Sequence, residues 1–158
     1  MASPMDSVLA SRKWLENLAE GRPFKLKGMG QTVEPLALSG IEVIRAERGR
    51  FLCKFVVPRH LTDKEGNWHP GAIAALIDAV GTATVLSYME QGQVSIDFEI
   101  SYFSRARTND EVEIDAKVYV NQGKITTMIA EIKKKESGEM LALGRQWMAS
   151  VKVERSKL

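Results

Sequence analysis

An α+β fold, with one antiparallel sheet wrapped around one long central helix, is the architecture this sequence predicts. Three observations carry the prediction. The run HPGAIAALIDAVGTATVLSYM is apolar on every face at helical length; two strand-like segments precede it; about four more follow. A single sheet closing on a single apolar helix is the simplest packing of those parts.

Taken in order, residues 7–19 place Val8, Leu9, Trp14, Leu15 and Leu18 near one face at helical spacing. Ser7 or Asp6 is the expected cap, and Gly21 with Pro23 the stop. Residues 22–35 read as a connecting segment. Leu36 to Ala46 reads as a strand, Glu47 to Arg50 as a turn, and Phe51 to Val57 as a second strand closed by Pro58. Phe51, Cys53 and Phe55 share one of its faces, so Cys53 reads as a small buried apolar side chain. A polar loop then leads to the helix, about residues 70–88, where Pro70 suits the first turn. Apolar residues all round predict burial on nearly every side, and Ala74, Ala75, Ala79 and Gly81 would let neighbouring backbones come close. Beyond it, Val94, Ile96, Phe98, Ile100 and Tyr102 alternate with Ser95, Asp97, Glu99 and Ser101 at a period of two. Glu111 to Asn121, Lys124 to Lys134 and Glu139 to Val153 complete the sheet, with turns at Gln122-Gly123 and Ser137-Gly138.

Composition excludes several classes. The 158 residues are 44% apolar and 27% charged with a formal net charge of +2, which argues against nucleic acid or an anionic surface as partner. The single cysteine, Cys53, precludes an intrachain disulfide. Two His and one Cys show no ligand spacing, so no metal is expected; no phosphate loop, dinucleotide glycine pattern or serine elbow calls for a cofactor or another hydrolase chemistry. The opening residues lack the apolar core of a secretory signal. The apolar run from Ala72 to Leu86, interrupted by Asp78, reads as too short for a membrane span. The final Ser156-Lys157-Leu158 has the form of a peroxisomal address, implying an import receptor as partner and a peroxisomal rather than simply cytoplasmic location. The expected organisation is therefore an N-terminal helix and connector over 1–35, one domain over 36–153, and a tail over 154–158.

Asp78 is the only carboxylate between Pro70 and Met89. An ionised carboxylate in an apolar helix is costly unless a partner, a water or a subunit boundary receives it. Composition leaves two readings open: a proton-abstracting group, or a buried structural Asp.

The stretch from Gly66 through Asn67, Trp68, His69, Pro70 and Gly71 to Asp78 resembles the signature of hotdog-fold acyl-CoA thioesterases. More narrowly, it is similar to the branch holding the acyl-CoA thioesterase 13 and phenylacetyl-CoA thioesterase proteins. That family opens its central helix with a His-Gly-Gly turn and carries an acidic residue nine positions after the His, the spacing of His69 and Asp78. Val94-Ser95-Ile96-Asp97, Ile100-Ser101-Tyr102 and Gln122-Gly123-Lys124 match its later strands and hairpin. The resemblance spans about residues 40–152.

It implies a single hotdog domain that hydrolyses a fatty or aromatic acyl-CoA, CoA being part of the substrate rather than a cofactor. Asp78 would be the general base or a nucleophile, Ser95 would place the water or the carboxylate, and the helix start would bind the thioester oxygen. The site would lie at the interface of a homodimer, itself free to pair into a homotetramer. His69 would hold the turn. Two positions depart from the family. Pro70 stands where a Gly supplies an N–H, which makes Gly71 the expected donor; Asp63 stands where the family has Asn, with Asn67 nearby. Arg105 and Arg107 are candidates for the CoA phosphates, ahead of Lys133 to Lys135. The alternatives are a non-catalytic acyl-CoA-binding protein, which the loss of the donor at Pro70 suggests, and a 3-hydroxyacyl thioester dehydratase using His69 with an acid.

Overall fold

The computed structural model describes residues 3–21, 33–89 and 93–151; the expected tail signal at Ser156-Lys157-Leu158 and most of the connector lie outside them. Helix α1 spans Pro4–Ala19 and starts earlier than predicted, because Ser3, not Ser7 or Asp6, is its cap. Ser3 and Asp6 form a reciprocal capping box, with Pro4 in the first turn. Leu15 is buried and packs this helix toward the central one.

The predicted strand from Leu36 to Ala46 is in fact two elements: helix α2, Glu34–Leu38, and strand β1, Glu42–Glu47. Pro35 sets the first turn of α2, and Ala37 and Leu38 are buried beneath it. A short apolar run carries no period that separates helix from strand, which is why the pattern misled. Strand β2, Arg50–Val56, follows, with Phe51, Cys53 and Phe55 all fully buried on one face as predicted.

Helix α3, Pro70–Tyr88, has the predicted bounds. By length and composition it is long and apolar enough to cross a membrane (mean hydropathy 1.5), contrary to the shorter span inferred from the sequence, but 61% of that window is buried within the fold, against the sheet and the two preceding helices. Its burial is also less complete than predicted. Ala74, Ala75, Asp78, Thr82 and Leu86 are each partly exposed, and their spacing of about four draws one open stripe along the helix.

Four strands follow: β3, Gln93–Tyr102; β4, Glu111–Gln122; β5, Ile125–Lys134; and β6, Met140–Ser150. All six strands form one antiparallel sheet in the order β1-β2-β4-β5-β6-β3. Two glycines seat α3 against it. A Cβ on Gly144 of β6 would lie 2.6 Å from Ile77 Cγ2, and one on Gly81 of α3 would lie 2.2 Å from Met128 Cε on β5. Both positions are close approaches that any side chain would push apart.

Strand β3 is an edge strand, and its simple alternation is broken. Ser95 faces Met148 and Asp97 faces Trp147, so Ile96 is a bulge. After it Phe98 faces Gln146. Met148 and Gln146 lie two apart on the inner face of β6, so Ser95 and Phe98 share that face although they are three residues apart. Val94 falls on the opposite face. The bulge thus turns Ser95 inward toward α3.

Candidate active site

Asp78 lies mid-way along α3, in the middle of the open stripe. Its Oδ1 accepts a hydrogen bond from Gln146 Nε2 at 2.5 Å, and the same amide nitrogen donates to Ser95 Oγ at 2.7 Å. The two N–H bonds of one amide therefore tie the helix carboxylate to the inward-turned serine. Having accepted from Gln146, Ser95 keeps its own O–H free to donate. Gln146 is fully buried, and its Oε1 has no partner. That oxygen lies against Gly81, where a Cβ would come within 2.9 Å of it. Leaving a buried acceptor unpaired costs about 1–3 kcal/mol, while a hydrogen bond to a charged group returns about 1.5–3 kcal/mol. The amide is thus held in this orientation by what it gives to Asp78 and Ser95.

A second group surrounds the start of α3. His69 is the cap residue, and its Nδ1 accepts the Gly71 N–H at 3.0 Å. As an acceptor Nδ1 carries no proton, so the neutral ring is protonated on Nε2. The His69 carbonyl accepts from Ala72 and Ile73, and Pro70 has no N–H. Tyr102, from β3, donates its hydroxyl to the Pro70 carbonyl at 3.0 Å; partial burial raises its phenol above the ordinary value. The expected donor, Gly71, is therefore present and exposed, but its N–H is engaged by the histidine ring.

Asp63 and Asn67 form a small closed loop before this turn. Asp63 Oδ1 accepts the Asn67 backbone N–H at 2.8 Å and Oδ2 accepts the Asn67 side chain at 3.2 Å. The backbone bond chiefly holds the Asp63 carboxyl below its ordinary range. The loop is stitched to the segment after β3: Trp68 N–H donates to the Ala106 carbonyl at 2.8 Å, and Asn67 bridges to Arg107. Arg105 and Arg107, both exposed, flank Ala106 and so lie beside the entry to α3. Lys133, Lys134 and Lys135 are instead matched with Glu131, with Asp110 and Glu139, and with Glu111. Trp68 is buried against Phe55, ring centroids 5.5 Å apart, which anchors the loop to the core. Cys53 is far from this chemistry in character: burial pushes its thiol up to about 12.

Comparison with known proteins decides the family. Residues 65–141, which include the His69 turn and Asp78, match the thioesterase superfamily model. The chain is 30% identical over 125 residues to mouse acyl-coenzyme A thioesterase 13, covering 77% of this chain and 84% of that one. The chain belongs to the thioesterase superfamily. In fold, this thioesterase is similar to zebra fish thioesterase superfamily member 2, with a TM-score of 0.77 at 22% identity over 92% of this chain and 99% of the other. It is also similar to a hypothetical thioesterase protein from Streptococcus pneumoniae solved with coenzyme A, TM-score 0.70 at 19% identity, covering 74% and 90%. The enzyme is therefore a thioester hydrolase of the single-hotdog type.

Within this thioesterase the expected site residues fall into two sets. Asp78 and Ser95 meet through Gln146; His69, Pro70, Gly71, Asp63, Asn67, Arg105 and Arg107 gather at the helix start. Gln146 was not foreseen. Its signal lay in β6, where the inward row Ala142, Gly144, Gln146, Met148 carries a single polar side chain. Among the described residues, no three or more His, Cys, Asp or Glu side chains cluster as metal ligands.

Proposed function

We propose that this thioesterase hydrolyses a fatty or aromatic acyl-CoA, with Asp78 activating the attacking water. The observation that carries the reading is the Asp78–Gln146–Ser95 arrangement on the open stripe of α3. Asp78 takes a proton as the water oxygen bonds to the thioester carbon. Collapse of the tetrahedral intermediate breaks the C–S bond, leaving the free acid, and the departing sulfur of CoA takes up a proton. The Ser95 hydroxyl is placed to hold that water or the second oxygen of Asp78.

The site needs two copies of the chain. Gly71 and Asp78 are seven residues apart on one helix, so about 10 Å separates them along its axis. One carbonyl group cannot touch both. A partner brings the second set if the chains pair along β3, and the free edge favours this. β3 is ten residues long and exposes Val94, Ile96, Phe98 and Tyr102, a combination that isolated proteins avoid. The homodimer so formed can pair again into a homotetramer.

CoA as the carrier is supported by the coenzyme A-bound Streptococcus neighbour and by the name of the mouse relative. Arg105 and Arg107 sit where phosphates at the mouth would meet them. At the helix start, Gly71 supplies the oxyanion donor once its N–H is shared with, or released by, His69. The dehydratase alternative would require the His69 ring at an acid; within the chain that ring is folded onto Gly71 instead. Where Leu158 ends the protein, Ser156-Lys157-Leu158 would act as a peroxisomal import address, which would fit a fatty or aromatic acyl substrate.

The test is thiol release from a panel of aliphatic and aromatic acyl-CoAs. Turnover that peaks on a medium or long chain, or on an aromatic acyl group, is expected. Release from none of them contradicts the proposal.

A further inference from the structure

The geometry assigns Gln146 as a positioning residue: its amide nitrogen locks Asp78 and Ser95 into one arrangement, leaving the second carboxylate oxygen and the serine O–H to meet the water. The inference rests on the reading of Asp78 as the group that activates water.

Three features argue for it beyond packing. Both donors of the amide are used, one on Asp78 Oδ1 at 2.5 Å and one on Ser95 Oγ at 2.7 Å. The amide oxygen is buried and unpartnered, a condition that Met or Leu of similar size would have avoided. And the opposite amide orientation would press Oε1 against a carboxylate oxygen, two acceptors with no proton between them. Gly81 leaves room for the idle Oε1, since a Cβ there would lie 2.9 Å from it. The Ile96 bulge completes the arrangement, since without it Ser95 would face away from β6's inner row. Three elements, α3, β3 and β6, therefore converge on one amide. This is the kind of support that fixes a reacting group to within a fraction of an ångström.

The experiment compares kcat and KM of the unmodified oligomer, Gln146→Met, Asp78→Asn and the double variant on the best acyl-CoA of the panel. Gln146→Met keeps the shape and removes the donors. The expected result is a fall in kcat of tenfold or more with KM within about twofold, and no further loss when Gln146→Met is added to Asp78→Asn. An unchanged kcat in Gln146→Met, or losses that simply multiply in the double variant, overturns the inference while leaving Asp78 in place. An Asp78→Asn variant with full turnover overturns the reading beneath it. A second readout needs neither turnover nor the Met variant: the side-chain amide 15N and 1H resonances of Gln146. They are expected to move on Asp78→Asn more than any other glutamine does; resonances indifferent to that substitution also overturn the inference.

Discussion

His69 Nδ1 accepts the Gly71 N–H at 3.0 Å, so the side chain that caps helix α3 also occupies the donor that the thioester oxygen would use. Capping by a ring nitrogen is unusual beside the oxygens of Ser, Asn or Asp. Replacing His69 by Ala removes the cap and is expected to cost about 1 kcal/mol, a fall of about 2–4 °C in melting temperature. His69→Asn, which can still accept from Gly71, is expected to recover most of it. Thermal melts of the two variants check this.

Gly144 and Gly81 make a pair of predictions with different readouts. Gly144→Ala places a methyl 2.6 Å from Ile77 Cγ2 in a packed layer, and is expected to destabilise by about 1–3 kcal/mol. Gly81→Ala meets the flexible end of Met128 and the Gln146 oxygen at 2.9 Å. It is expected to lower kcat more than stability, because the amide that holds Asp78 must shift. Denaturant midpoints and initial rates on the same samples separate the two.

Cys53 gives a pH prediction. Burial raises its thiol from 9.0 to about 12, so the folded chain keeps a proton that the unfolded chain gives up in that window. Its contribution to stability is fully present below pH 9 and is lost as pH rises toward 12. Cys53→Ala is expected to flatten the alkaline fall in stability, measured by denaturant midpoint against pH. In the native protein the thiol should resist alkylation at pH 8.5 and react only on unfolding.

The β3 edge predicts a shared site. Ile96 is 54% exposed on the bulge, and Ile96→Lys is expected to shift the protein to monomer on size exclusion and to abolish turnover with it. Mixing Asp78→Asn subunits with Gly71→Pro subunits, which lack the donor, is expected to give each mixed dimer one intact site, and so to restore about a quarter of the unmodified activity when equal amounts exchange at random. No recovery on exchange would show that each chain carries a whole site.

The central helix was legible because its signals agree: Pro70 at the start, apolar or small residues on every face, and Asp78 as the one carboxylate among them. The strands after it were legible from their period of two. Misreadings arose where a local pattern is indifferent to its context. The apolar run at 36–38 has no period, so Pro35 could begin a helix there. The Ile96 bulge keeps the alternation in the letters while reversing it in space, so the period of two alone does not turn Ser95 inward; the resemblance is what placed it at the site. Gln146 was missed because one glutamine in a strand looks like solvent-facing polarity until the parity of β6 is fixed by its neighbours. Ser3 caps α1 because Asp6 answers it from the third position, a reciprocity that outranks the single capping residues nearer the apolar face.

Asp78 is central to the proposed chemistry, and its most direct test is kcat for Asp78→Asn against the unmodified enzyme on its best acyl-CoA, with oligomer size confirmed on the same samples. Removal of a positioned base predicts a loss of about a hundredfold to ten-thousandfold with the oligomer intact. Turnover within twofold of the unmodified enzyme would contradict it.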